Sequence, residues 1–423
     1  MTFDTGNTAF LIICSALVLM MTPALAFFYG GLVRAKSVVS MMMLSFGAMA
    51  VVAVIWIVYG YAIAFSSSDG PGFIGLNGVF GINVGDIGLE GLLNQPPMSS
   101  GIPPIIYSAF QATFAIITVA LVSGAIADRA KFGAWLVFAG IWATVVYFPV
   151  ANWVFSVVRD DAGTIVNGGW LVHDIGLIDF AGGTVVEINS GAAALALAIV
   201  LGKRVGFAKG IHKPHNVPFV LLGAGLLWFG WFGFNAGSEL AADGIASVAF
   251  INTMAAPAAG IIGWLIVERL KDGKATSVGA ASGAVAGLVA ATPSCASLTP
   301  IWALVMGLIA GVLCALAVEL KFKFGFDDSL DVVGIHLVGG VIGTLMIGLV
   351  GTEAGLLYTG SFLQLGKQAV GVIVVLAYSL IVTFIIGYAI EKTIGFRVRN
   401  EDELAGIDTI LHGEEGYALD GGY

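Results

Sequence analysis

The sequence predicts an all-α polytopic membrane protein of eleven transmembrane helices. Three observations carry that prediction. Of its 423 residues 58% are hydrophobic and only 11% charged, whereas soluble domains carry about 25% charged residues. Apolar runs of roughly 20 residues, the length one helical crossing needs, recur along the whole chain. The basic residues gather in alternate breaks between those runs, as they do on the cytoplasmic side of membrane proteins. A β-barrel would instead show short alternating segments.

The spans follow in order. Span 1 (8–32) comes after MTFDTGNTAF, which lacks a basic leader, so it is expected to insert without being cleaved. Arg34 and Lys36 separate it from span 2 (37–65). Arg129 and Lys131 separate span 3 (102–127) from span 4 (132–157). Span 5 (181–202) runs into Lys203, Arg204, Lys209 and Lys213. Spans 6 (217–237) and 7 (245–268) flank a short acidic break with Glu239 and Asp243. Arg269, Lys271 and Lys274 lead to span 8 (276–292), where Gly279, Gly283 and Gly287 form a face for close helix packing. Span 9 (300–320) ends in Lys321 and Lys323, and span 10 (333–352) precedes span 11 (368–391), which ends at Lys392. With the Arg34 loop inside, only Arg159 and Lys367 of the 18 basic residues fall outside. The N-terminus is then outside and the C-terminus cytoplasmic. The chain divides into a membrane domain, 1–395, and a cytoplasmic tail, 396–423.

The opposite side is acidic, with Asp4, Asp69, Asp86, Glu90, Asp160, Asp161, Asp174, Asp179, Glu239, Asp243 and Glu353. Such a surface raises the local concentration of cations. The net charge of −9 speaks against a nucleic-acid partner. Cys14, Cys295 and Cys314 are scattered and imply neither a disulfide framework nor a metal site. No metal, cofactor or enzymatic activity is expected.

"DFAGGTVVEINSGAAALALAIV" (179–200) places a carboxylate, Glu187, inside an apolar run. A charge at a helix centre costs roughly 3 kcal/mol to insert, and such residues usually mark a pathway. "VGIHLVGG" (333–340) resembles it: Glu187 stands four positions before Gly191, and His336 four before Gly340. Each span follows an aspartate, Asp179 and Asp331. Five spans apart, the copies enter from opposite sides, the pattern of an inverted repeat with a polar site near the midplane. Asp179 is expected to cap the start of span 5. Aromatic side chains cluster at Phe110 and Phe114, at Trp153 and Phe155, and in "WFGWFGFNAGS" (228–238), next to Ser238. They suit either a headgroup belt or a cation–π cage for a small cation.

These residues are where the chain resembles the ammonium transporter family (Amt/Mep/Rh), in its bacterial Amt-type branch. "TPALAFFYGGLVRAKSV" (22–38), "FQATFAIITVALVSGAIADR" (110–129), "DFAGGTVVEINSGAAAL" (179–195), "WFGFNAGS" (231–238), "DVVGIHLVGG" (331–340) and "GIDTILHGEEGYA" (406–418) carry the resemblance in order. It implies two inverted five-helix repeats plus a final helix, a homotrimer, and one pore per subunit in the cytoplasmic membrane. Ammonium would be recruited at Phe114, Phe155 and Ser238, a site that Asp179 builds. Phe234 with Phe114 or Phe110 would gate the pore. Glu187 and His336 would relay the proton. In the tail, Gly406, Asp408, His412, Gly413 and Glu414 match the family pattern, which implies contact with neighbouring subunits and docking of PII-type signalling proteins.

The chain departs from the family at three positions. Glu187 replaces the first of two pore histidines, as in some fungal relatives. Phe155 replaces a tryptophan, with Trp153 the nearest indole, and Asn152 replaces a histidine. The expected activity is electrogenic uptake: ammonium is deprotonated, ammonia crosses an apolar pore, and the proton follows through a coupled pair of groups. A sensor read out by the tail and an electroneutral ammonia channel are the competing readings.

Overall fold

A bundle of long helices makes up the protein, seen here as a computed structural model that describes residues 2–160, 164–207 and 213–417. Asp161, Lys209 and residues 418–423, all part of the sequence reading, lie outside the described residues. The long helices are α1 (Thr5–Leu32), α2 (Ala35–Ala64), α3 (Pro104–Ile126), α4 (Phe132–Phe155), α5 (Gly183–Leu201), α6 (Val217–Gly237), α7 (Gly244–Lys271), α8 (Ser277–Ser294), α9 (Pro300–Phe324), α10 (Val333–Val350) and α11 (Leu363–Thr393). Ten of them are long and apolar enough to cross a membrane. The other, α8, is 18 residues long like α10, but is built largely of alanine, glycine and serine. It is buried along most of its length, so it has no need of an oily surface.

Each predicted span corresponds to one of these helices, with ends shifted by a few residues. The largest shift is at α11, which starts at Leu363 and ends at Thr393. Isoleucines and phenylalanines such as Ile57, Phe229, Ile262 and Ile381 lie exposed on the flank of the bundle. In lipid that surface is solvated by apolar chains, and the protein is a multi-pass membrane protein.

Burial orders the helices: the α5 stretch is 83% buried and that of α11 only 33%. Repeat-related helices meet, α1 along α6 and α5 against α10. Small residues make the close crossings. Gly283 and Gly287 sit against the backbone of α7 at Gly260 and Ala256. A Cβ on Gly191 of α5 would stand 2.5 Å from the Leu337 amide, and one on Gly340 would stand 2.9 Å from the Glu187 Cβ. The glycine that follows each ionisable residue is thus what lets α5 and α10 cross in contact.

Four of the long helices contain a π-helical turn: Trp56–Gly60 in α2, Ala143–Tyr147 in α4, Gly183–Ile188 in α5 and Val333–Leu337 in α10. Two antiparallel hairpins, β1 (Phe73–Leu76) with β2 (Phe80–Asn83) and β3 (Val157–Arg159) with β4 (Ile165–Gly168), lie in the connections after α2 and α4. At the opposite end, Arg204 bonds Asp327 and Asp128, and Arg129 donates to the Asp327 carbonyl at 2.6 Å.

The tail packs onto that basic end. Two short helices, α12 (Asn400–Ala405) and α13 (Ile407–His412), follow α11. Glu403 is buried, accepts from the Val205 amide at 2.7 Å and pairs with Arg397 at 2.8 Å. An acidic, glycine-containing tail would by itself stay in water; this one is held by charge pairs and backbone bonds.

Candidate functional site

Asp179 organises the start of α5. Its carboxylate accepts from the amides of Gly182 (2.9 Å), Gly183 (2.6 Å) and Thr184 (2.7 Å), and from the Thr184 hydroxyl. Gly182 needs its glycine, with φ at 114°, to turn the chain into the helix. This is an N-terminal cap with both carboxylate oxygens engaged. The counterpart in α10 is Asp328, and the expected pairing of Asp179 with Asp331 is wrong. Asp328 accepts from the Val333 amide at 2.7 Å, five positions on, as Asp179 does from Thr184. Eight positions after each capping aspartate come Glu187 and His336. Asp331 instead bonds Lys321 at 2.6 Å, with φ at 64°. Burial pushes the Asp328 carboxyl up to about 6.

The two caps bring Glu187 and His336 together. His336 Nδ1 and Glu187 Oε2 are 2.6 Å apart, and both side chains are buried. The second carboxylate oxygen, Oε1, has no partner among the described residues. Both residues line a narrow void of about 10 Å³, together with Phe28, Leu121, Leu227 and Trp231. That volume is about what one water molecule needs. Apart from the pair, the wall is almost wholly apolar; the one other polar group, the Trp231 ring N–H, is bound to the Thr292 hydroxyl at 2.9 Å. Tyr29, buried nearby, donates to the Leu121 carbonyl at 3.1 Å.

Towards the Asp179 end lies a wider vestibule of about 580 Å³. Phe114, Phe155, Asp179 and Ser238 all line it. The Ser238 hydroxyl donates to the Phe234 carbonyl at 2.8 Å, which leaves its oxygen free to accept.

Phe114 and Phe234 separate vestibule from void. Phe114 borders the first, Phe234 the second, and their ring centres are 4.2 Å apart. Phe110 borders neither; it packs edge-on against Phe114 at 4.8 Å. Trp153 does not replace the missing indole either. Its ring N–H donates to the Val79 carbonyl at 2.6 Å, its ring meets Tyr378 in a T-shaped contact, and it does not line the vestibule. Asn152 is also structural and donates to the Ala64 and Ser66 carbonyls.

Tyr107 and Gln111, which the sequence reading missed, and Glu239, named there only among the acidic residues of that side, also line the vestibule. The signal was present for the first two: Tyr107 and Gln111 lie one helical turn apart, and the Gln111 amide donates to the Tyr107 hydroxyl.

The tail residues occupy a separate region. Asp408 accepts from the amides of Ser40 (2.7 Å) and Val39 (3.0 Å) at the start of α2. Gly406 has φ at 118°, and a Cβ there would strike the Lys36 side chain. His412 meets the Phe132 ring, Gly413 ends α13 with φ at 68°, and Glu414 is exposed. Tyr417, which sequence reasoning did not single out, bonds His215 at 2.7 Å.

Known proteins share this architecture. Residues 9–417 match the model of the Ammonium Transporter Family. An ammonium transporter of Mycobacterium tuberculosis (strain ATCC 25618 / H37Rv) is 54% identical, with 98% of this chain and 90% of that protein covered. The ammonium transporter of Bacillus subtilis (strain 168) is 44% identical, over 97% of this chain and 98% of that one. Among solved structures, Mep2 of Candida albicans superposes with a TM-score of 0.85 at 33% identity, covering 95% and 88% of the two chains. A protein described as a sensor Amt protein gives 0.86 at 28% identity, covering 96% and 98%. A match that runs the length of both sequence and fold leaves one assignment: the chain belongs to the ammonium transporter family.

Proposed function

We propose that this protein takes up ammonium across the cytoplasmic membrane, as an electrogenic transporter. The observation that carries the reading is the buried Glu187–His336 pair on the wall of a void that holds about one small molecule. An ammonium ion resembles potassium in size, but only ammonium can shed a proton and become neutral. Ammonium gathers in the vestibule against Phe114, Phe155 and Ser238. As it passes Phe114 and Phe234 it leaves one proton on the carboxylate–imidazole pair and continues as ammonia. The proton is released on the far side and ammonium re-forms, so one charge crosses per molecule.

The basic segregation supports an N-terminus outside and a cytoplasmic C-terminus. Three copies each carry their own pore, and the tail, docked beside Arg34 and Lys36, offers the surface for a PII-type partner.

The test is ammonium-evoked current in proteoliposomes, with Glu187→Gln beside the wild type. Gln keeps shape and hydrogen bonding but cannot titrate. Current should fall at least about tenfold, the scale of losing a positioned proton acceptor, while assembly survives. Unchanged current in the variant would refute the relay. Ammonia flux without current in the wild type would establish the electroneutral channel instead.

A further inference from the structure

Two carboxylates line the vestibule, and only one has work to do in the fold. Asp179 spends both oxygens on the cap of α5. Glu239 is half-buried, one residue past Ser238, and its carboxylate has no hydrogen-bond or ion-pair partner among the described residues. The chain turns there with Leu240 at φ 61°, and Ser238, Glu239 and Leu240 all border the cavity. A partly desolvated carboxylate without a partner is costly for a fold to keep, and it is stabilised by a cation. The vestibule's aromatic surface is also weaker than an indole would make it, because Phe155 stands where the resemblance places tryptophan.

From this geometry we infer that Glu239 is the anionic ligand of the vestibule: it holds the incoming ammonium ion as an ion partner, beside the Ser238 hydroxyl oxygen, before the phenylalanine pair. The inference rests on the proposed transport of ammonium and names a specificity-determining residue for it. It also makes recruitment pH-dependent. Burial first, and then the nearby Asp243, push the Glu239 carboxyl up to about 7. The other charged or titratable groups around it are Asp179, Arg159 and Tyr107 on the cavity wall and the Cys295 thiol, which feels the Glu239 charge. As pH falls through about 7 the carboxylate takes up a proton and loses its hold on the cation, so affinity declines towards acid. Ammonium itself stays protonated throughout that interval and does not contribute to the change.

The experiment measures the half-saturating ammonium concentration for evoked current in proteoliposomes between about pH 6 and 8, the interval around a carboxyl raised this far. In the wild type it should rise as the pH drops. In Glu239→Gln it should be raised roughly three- to tenfold at the alkaline end, the range of a partly exposed, charge-assisted pair, and should no longer vary with pH. Glu239→Asp, which keeps the charge, should retain the pH dependence. Asp243→Asn keeps the oxygen that caps α7 and removes a neighbouring charge; it should leave most of the dependence in place. Equal shifts in Asp243→Asn and Glu239→Gln would mean a diffuse surface potential and would overturn the assignment. So would a Glu239→Gln profile that follows the wild type. Absence of any ammonium current or flux in the wild type would instead defeat the transport reading itself.

Discussion

Phe155 sits on the vestibule wall in a cavity of about 580 Å³, so a larger ring has room there. Tryptophan is the best of the aromatic rings for holding a cation, and the whole interaction at a part-exposed site is about 0.5–1 kcal/mol, of which phenylalanine already supplies a part. Phe155→Trp should therefore lower the half-saturating ammonium concentration, by about twofold. Titration of evoked current in the two proteins checks this, and an unchanged value would show that the ring at this position does not touch the ion. Glu239 and Phe155 line the same vestibule, so if both hold the proposed ion their effects need not add.

At the level of helices, the decisive contact is the crossing of α5 and α10. Gly191 faces the Leu337 backbone, which cannot move aside as a flexible side chain could. Gly191→Ala should push the two helices apart, at a cost of about 1–3 kcal/mol for overpacking, and separate Glu187 from His336. Thermal unfolding and current should both fall. Gly225→Ala, on the exposed face of α6 with open space at its Cβ, should leave both near wild type.

How far this was legible from the sequence varies by feature. The spans were legible because a bilayer imposes their length and forbids charge within them. The pairing of Glu187 and His336 was legible because both stand four residues before a glycine. Asp328 was not legible: Asp331 is the aspartate nearest the apolar run, but the cap is set by register, and counting eight back from His336 leads to Asp328. The docking of Asp408 was not legible, since its partners are backbone amides of Val39 and Ser40, remote in sequence and without a side-chain signature. Of Glu239 only its place among the acidic residues of that side was legible, not its place on the vestibule wall.

For the molecule as a whole, the proposed selectivity depends on order: an open, acidic vestibule, then two rings tilted 37° to each other, then a void for one small molecule. Potassium can reach the first but must give up its hydration at the second, and one carboxylate does not restore it, because a buried charge needs full compensation. Potassium current at equal concentration should therefore stay below about a tenth of the ammonium current, a difference of roughly 1.4 kcal/mol or more. Comparable currents in the same liposomes would show that Phe114 and Phe234 do not close the path. The arrangement also makes chain length a carrier of function. Glu187 and His336 both lie inside π turns, each a helix turn with a residue too many. Deleting one residue from 183–188 could keep every apolar side chain and both flanking helices, yet swing the carboxylate by up to about 100°. Insertions and deletions that surface loops absorb silently would here separate Glu187 from His336 and so break the proposed proton path, so that these spans can drift in composition but not in count.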